Sequence, residues 1–402
     1  MGKNPTFRLA GCWLAWEIWA RCTVARSSLR AAPMFTHQEH LRHLLRPEHY
    51  TTEAQYRLEL RNLFQPAWHP LAAKAELVRP GDFLTFHLLN TPILLRNFDG
   101  EVRAFLNVCP HRHSTLTDKP SGNAEKLRCQ YHGWEYNADG RTGKIPDAQA
   151  FRPWDRENSC LRRLHLDSCG DVLYVNLSDK PVSLREWIGT LWEPLSTAGG
   201  VYRFAAVWEK EFPCNWKVVL ENSLESYHIP QVHPFTFKKY PDEENAWHEL
   251  DGKFSTFRSV APNDIGSRVE RLLSRMLGEP ITKTYWHRVV HPHLTAAMLD
   301  SFRIVQCVFP TGPTTCRYRT IFFTLRGAKQ NPFAWLVYRT LKLAATLVAR
   351  KVFEEDASIY GGVQRGLTAS LHPGVVGTRE ERIYYFQKYV LDGCSQTEPV
   401  DH

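Results

Sequence analysis

The chain has 402 residues, 43% of them hydrophobic and 23% charged, which leaves ample apolar surface to bury in two domains. The net charge of +8 includes a local +4 over residues 1–33, where Lys3, Arg8, Arg21, Arg26 and Arg30 meet one acid, Glu17. The mild remainder forms no basic run of the kind that tracks phosphates, so nucleic acid is not expected as a partner. Ten scattered cysteines argue against a dense disulfide framework and for a reducing compartment, the cytoplasm.

Taken in chain order, residues 1–33 come first. Their apolar stretch "LAGCWLAWEIWA" is short and broken by Glu17, well under the ~20 residues that a spanning helix needs. The segment is read as an extension outside the fold, with Met34 a natural start. Residues 34–62 contain two short helices, with Thr51 or Thr52 capping "EAQYRLELRNLF". Residues 63–180 read as a small all-β domain. "DFLTFHLL", "PILLRNF" and "VRAFLNV" are strands, the last two joined by an Asp-Gly turn, and "DVLYVNLS" closes the series. Residues 181–402 have the texture of an α+β domain. "WKVVLENSLESYHI" is helical, "RIVQCVFP" and "CRYRTIFFTLRG" are strands, and the region from "PFAWLVYRTLK" to "GGVQRGL" is one long helix or two joined ones. The apolar, Arg- and Lys-studded start of that helix would also suit a membrane surface. The preferred reading is a buried helix whose basic tips reach water.

Two stretches carry unusual chemistry. "NVCPHRHSTL" holds Cys109-x-His111, and "RCQYHGWEY" holds Cys129-x2-His132. Zinc would accept two thiolates and two imidazoles. Mixed Cys/His pairs suit a two-iron cluster better, with one iron bound by both cysteines and the other by both histidines. That is the ligand division of a Rieske [2Fe–2S] centre. His113 is read as a loop histidine beside the ligands.

On these residues the chain resembles the α subunits of Rieske non-haem iron oxygenases. Their pattern is C-x-H, about 17 residues, then C-x2-H-G-W, and 17 residues separate His111 from Cys129 here. His113 departs from the pattern, since many relatives have Gly there. Respiratory Rieske proteins carry an extra cysteine in each ligand loop. This chain has Ser114 and Gly133 nearby instead, which favours the oxygenase branch.

The resemblance implies a small all-β Rieske domain followed by a helix-grip catalytic domain, an antiparallel sheet with long helices. It also implies a mononuclear Fe(II) bound by two histidines and one carboxylate, with positions open for O2. His228 and His233 in "NWKVVLENSLESYHIPQVHP" match the histidines. Asp356 matches the carboxylate by its distance to Gln364, with Glu355 the runner-up. Glu225 takes the place of the family's acid that bridges an iron histidine and a Rieske histidine of the neighbouring subunit. Asn222 and Tyr227 look like residues that support the site, with ordinary helix packing as the plain alternative. Glu in an E-x-Y-H arrangement resembles the branch acting on quaternary amines such as glycine betaine and carnitine.

There is no G-x-G-x-x-G after a strand and no plant-type cysteine run. Electrons must therefore come from a separate NAD(P)H-dependent reductase or ferredoxin. The family also implies a ring of subunits, commonly a homotrimer. The substrate is expected to be a small organic molecule, hydroxylated or oxidatively demethylated. The alternative is an electron-carrying Rieske protein without oxygen chemistry.

Overall fold

The computed structural model describes residues 35–395 apart from 38, 154–158, 235, 237–245 and 261–264. The expectation for the 1–33 extension lies outside the described residues.

The N-terminal helices are Glu48–Thr51 and Glu53–Glu59. Thr52 separates them because its backbone is extended, and its hydroxyl accepts the Gln55 N–H at 3.4 Å. That is the capping role expected of one of the two threonines. A π-helical turn, Leu60–Phe64, follows. The helices dock through buried polar groups. Glu59, fully buried, accepts from Lys217 Nζ at 2.5 Å and Trp216 Nε1 at 2.6 Å, and the Tyr50 hydroxyl donates to Glu221 at 2.6 Å.

The β-rich region forms a four-stranded antiparallel sheet in the order Glu101–Leu106, Thr91–Phe98, Asp82–Leu88, Ser121–Asn123. Asp99 (φ 51°) and Gly100 (φ 99°) both take positive φ in the hairpin turn, as a two-residue turn matched to strand twist requires. Trp68–Ala73, Val172–Asn176 and His165–Cys169 make a second, three-stranded sheet. Its Leu71, Ala72 and Val175 pack with Cys307 and Phe309, so the β region leans on the larger sheet of the second half.

That larger sheet has seven antiparallel strands. Their order is Tyr202–Phe212, Thr315–Leu325, Phe302–Gly312, Leu294–Leu299, Thr284–Val290, Phe254–Val260, Ala246–Asp251. The helices Trp216–Leu224, Pro332–Ala369 and Glu381–Ser395 pack around it. This is the α+β class expected. The sequence reading named only two of these strands, because strands such as "YRFAAVWEKEF" carry charges on a half-exposed face.

The region 332–369 is one continuous helix. The reading of its first half as buried is corrected by the structure. Ala334, Val337 and Leu341 are buried, but Phe333, Trp335, Leu336, Leu343, Leu347 and Val348 lie exposed. A single helix on one sheet face can bury only one stripe. Among the described residues no helix is long and apolar enough to cross a membrane.

Candidate metal centres

The first centre sits at the tip of the four-stranded sheet. Strand Glu101–Leu106 runs into one loop, and strands Leu127–Arg128 and Glu135–Tyr136 flank the other. The loops repeat one backbone pattern. The Cys109 N–H donates to Ser114 O and Cys109 O accepts from His113. The Cys129 N–H donates to Trp134 O and Cys129 O accepts from Gly133. The equivalent residues His113 (φ 58°) and Gly133 (φ 73°) both take the left-handed conformation, so His113 occupies a place suited to glycine. Asn107, buried, clamps the first loop by accepting from the Leu116 N–H and donating to Thr117 O.

These loops bring the four expected ligands together. Cys109 and Cys129 are both 2% exposed, and the His111 and His132 rings lie 4.6 Å apart. His111 stacks on Trp134 at 4.6 Å, and its buried Nδ1 has no hydrogen-bond partner. A buried ring nitrogen without a partner is costly unless something binds it. Desolvation, then His132, then Arg112 lower the His111 pKa, which favours the neutral, ligating form. Two buried thiols and two neighbouring imidazoles on paired loops fit a [2Fe–2S] cluster divided between sulfur and nitrogen. The Tyr136 hydroxyl lies 2.9 Å from Cys109 Sγ and would donate to it as a thiolate.

The second centre forms where helix Trp216–Leu224 ends. Asn215 caps its start by accepting the Lys217 N–H at 2.9 Å, while Gln364 of the long helix accepts the Asn215 N–H at 2.7 Å. Glu225 turns extended (φ −130°), and His228 and His233 then bracket the short helix Ile229–Val232. Asp356 arrives from the long helix. Among the described residues, His228, His233 and Asp356 are the one group of three or more His, Cys, Asp or Glu whose ligand atoms all lie within 4.8 Å of one another. The two Nε2 atoms are 3.3 Å apart, and Asp356 Oδ1 is 3.3 Å from His228 Nε2 and 3.0 Å from His233 Nε2. An ion about 2.1 Å from three neighbouring octahedral ligands holds them about 3.0 Å apart, so this triangle fits one face of such a site.

Each imidazole has its own carboxylate behind it. His228 Nδ1 donates to Glu225, which also accepts the N–H groups of Tyr227 and His228. His233 Nδ1 donates to Glu355 at 2.9 Å, and Thr236 donates to the same oxygen at 2.6 Å. Both rings are thereby held with Nε2 toward Asp356. Asn222 Nδ2 donates to Asp356 Oδ1 at 2.9 Å. Tyr227 is 60% exposed and contributes only its backbone N–H to these bonds. Glu355, the runner-up ligand, is placed behind His233, a role the adjacent Glu-Asp pair did not reveal in sequence.

The electrostatics also call for a cation. Burial pushes the Asp356 carboxyl up, but hydrogen bonds from His228 and His233 outweigh it and bring it down to about 2. Burial works against charge on His228, yet Asp356 and Glu225 lift it to about 9. Three carboxylates around two imidazoles leave net negative charge, which protons on the rings answer when no metal does. Aromatic side chains crowd the same place. Burial pushes the Tyr285 phenol up to about 12, with Asp356 adding to the rise. Tyr318 and Tyr360 are raised further by burial and by Asp356. Phe353 stacks on Tyr318 at 5.3 Å, and Trp208 meets Phe353 edge-on at 6.3 Å.

Comparison with known proteins agrees with both centres. Residues 67–158 match the Rieske [2Fe-2S] domain family, and residues 200–396 match the ring hydroxylating alpha subunit (catalytic domain) family. The carnitine monooxygenase oxygenase subunit of Acinetobacter baumannii is 27% identical over 358 residues, 85% of this chain and 92% of the relative. The glycine betaine monooxygenase oxygenase subunit of Chromohalobacter salexigens is 31% identical over 194 residues, 48% of this chain and 43% of the relative. The solved structure of a quaternary ammonium Rieske monooxygenase superposes with a TM-score of 0.73 at 23% identity, covering 90% of this chain and 97% of that one. Naphthalene 1,2-dioxygenase from Rhodococcus sp. superposes with a TM-score of 0.68 at 18% identity, covering 86% and 94%.

Proposed function

Since the chain belongs to the Rieske non-haem iron oxygenase α subunits, we propose that its substrate is a small quaternary ammonium compound, oxidised at a carbon next to the nitrogen. The chain is an oxygenase component. It uses O2 and electrons from a separate donor to hydroxylate or oxidatively demethylate a small organic substrate at a mononuclear Fe(II) site. The observation that carries this reading is the 3.0–3.3 Å triangle of His228, His233 and Asp356. An electron carrier would have no use for it.

Bound there, Fe(II) supplies O2 activation and the [2Fe–2S] cluster supplies electrons. The chain's own residues do the rest. His228, His233 and Asp356 offer three donors on one side and leave the other side open. Glu225 and Glu355 hold the imidazole tautomers, and Asn222 steadies Asp356. The aromatic side chains around Asp356 help to exclude water, and their π faces would suit a cation that cannot donate hydrogen bonds. A hydroxyl placed on a carbon bonded to a quaternary nitrogen lets that C–N bond break, the electron pair leaving with nitrogen and the hydroxyl losing its proton, to give a carbonyl, a tertiary amine and H⁺.

Glu225 is read as the link from His228 to His132 of the next subunit in a head-to-tail homotrimer. Its support is the bond to His228 Nδ1 and its position beside the exposed Tyr227. The donor is read as an NAD(P)H-dependent reductase or ferredoxin. The compartment is read as the cytoplasm, supported by the six described cysteines besides Cys109 and Cys129, none of which is in a disulfide. The test is O2 uptake with a surrogate reductase and mass spectrometry of products from carnitine, glycine betaine and choline. Substrate-dependent uptake and an oxidised product are expected. Turnover of neutral aromatic compounds with none of the amines would sink the substrate assignment.

A further inference from the structure

The long helix Pro332–Ala369 has two apolar faces, and the sheet and its neighbouring helix need only one. Ala334, Val337 and Leu341 turn inward and pack with Leu273 and Leu277 of helix Ile265–Leu277. Phe333, Leu336, Leu343 and Leu347 turn outward at alternating three- and four-residue steps, with Thr340 completing the line. Leu336, Leu343 and Leu347 are 59%, 64% and 59% exposed. Isolated exposed leucines need no explanation, but a continuous line of them does. From Phe333 to Leu347 the helix rise makes that line about 21 Å long. Val269 and Leu272 of the neighbouring helix, 50% and 54% exposed, add apolar surface beside it.

Along the leucine line the charge of the described residues is positive, and Lys351 at its end pairs with Glu355 at 3.9 Å. Between Pro332 and Phe353 the sequence holds Arg339, Lys342, Arg350 and Lys351 and no acid. Helix Ile265–Leu277 adds Arg268, Arg271 and Arg275. Its one acid, Glu270, is turned to the Ser301 hydroxyl. Arg339 lies over the Trp335 ring at 4.9 Å. We propose that this face is a membrane-docking surface, seated on a bilayer rich in anionic phospholipid with its leucine line at the headgroup–acyl boundary. Apolar tips along the crest and basic tips on the flanks describe a helix lying in the interface plane. Long Arg and Lys stems can reach phosphates while their methylenes stay with the apolar surface. An isologous dimer through this face would set like charges against each other, and a head-to-tail contact, which joins unlike faces, is tested by the assembly size in solution.

The experiment is co-sedimentation of the full-length holoprotein with vesicles. One set is phosphatidylcholine alone and the other is an equal mixture with phosphatidylglycerol. Binding to the mixed vesicles, little to the neutral ones, and loss at high salt are expected. Leu343→Gln/Leu347→Gln should weaken binding about tenfold or more. Arg339→Gln/Lys342→Gln should weaken it roughly 30-fold, at about 1 kcal/mol for each basic residue near the surface. Both variants should keep the wild-type circular dichroism and melting temperature, and wild-type turnover in solution. Three vesicle and assembly results would overturn the proposal. They are no binding to anionic vesicles, equal binding by the variants (which would assign it to residues 1–33), and a smaller assembly by light scattering in the leucine variant. Retention on polyglutamate without vesicle binding would likewise overturn it, in favour of an acidic protein surface.

Discussion

Residue identity sets the two centres most directly. His113 sits in a left-handed conformation that its Gly133 counterpart adopts freely. His113→Gly is expected to leave the cluster spectrum intact and raise the stability of the β domain by up to about 1 kcal/mol in chemical denaturation. Tyr136→Phe removes the hydroxyl 2.9 Å from Cys109 Sγ. A bond to a cluster sulfur disperses the charge gained on reduction, so the variant should keep its cluster and show a lower midpoint potential by redox titration. At the iron site the adjacent acids should separate by kind. Asp356→Ala should lose mononuclear iron and turnover while the cluster stays reducible. Glu355→Gln should keep iron but bind it about 10–100-fold more weakly, because it only orients His233. Iron analysis after dialysis distinguishes them, and the reverse order would exchange their roles.

At the scale of elements, the iron site depends on how helix Trp216–Leu224 is held. Its first residues meet Glu59 of the N-terminal helix through a fully buried ion pair with Lys217. Desolvation lowers the Lys217 pKa, and the Glu59 charge and hydrogen bond resist that fall. Removing one partner leaves the other charge buried and alone. Lys217→Met should therefore cost about 3–5 kcal/mol. Lys217→Met combined with Glu59→Gln should cost much less. Denaturant midpoints would show it, and equal losses would mean that packing, not charge, joins the helices. The sequence announced the helix through its apolar spacing. It gave no sign of the partner, since a Lys and a Glu 158 residues apart carry no pairing signal.

The whole molecule places the two centres on different domains, and the coupling belongs at that scale. Glu225→Gln keeps size and hydrogen-bonding capacity but removes the charge behind His228. It should retain both metals and reduction by dithionite, yet slow cluster reoxidation about 10–100-fold or more in rapid-mixing experiments with substrate and O2. Wild-type reoxidation in this variant, or in a demonstrably monomeric form, would overturn the route between subunits.

The sequence by itself determined the ligand chemistry. Cys109-x-His111 and Cys129-x2-His132 lie in short loops, where local spacing nearly fixes geometry, and His228 and His233 bracket a four-residue helix for the same reason. Tertiary structure decided what spacing does not encode. It brought Asp356 from a helix more than a hundred residues away and set Glu355 behind His233 rather than on the metal. It gathered Tyr285, Tyr318 and Phe353 from three elements around Asp356. It also decided which apolar stripe of the long helix was covered. Periodicity shows that a helix has an apolar face, but only its packing against a neighbour determines whether that face is buried or left to water.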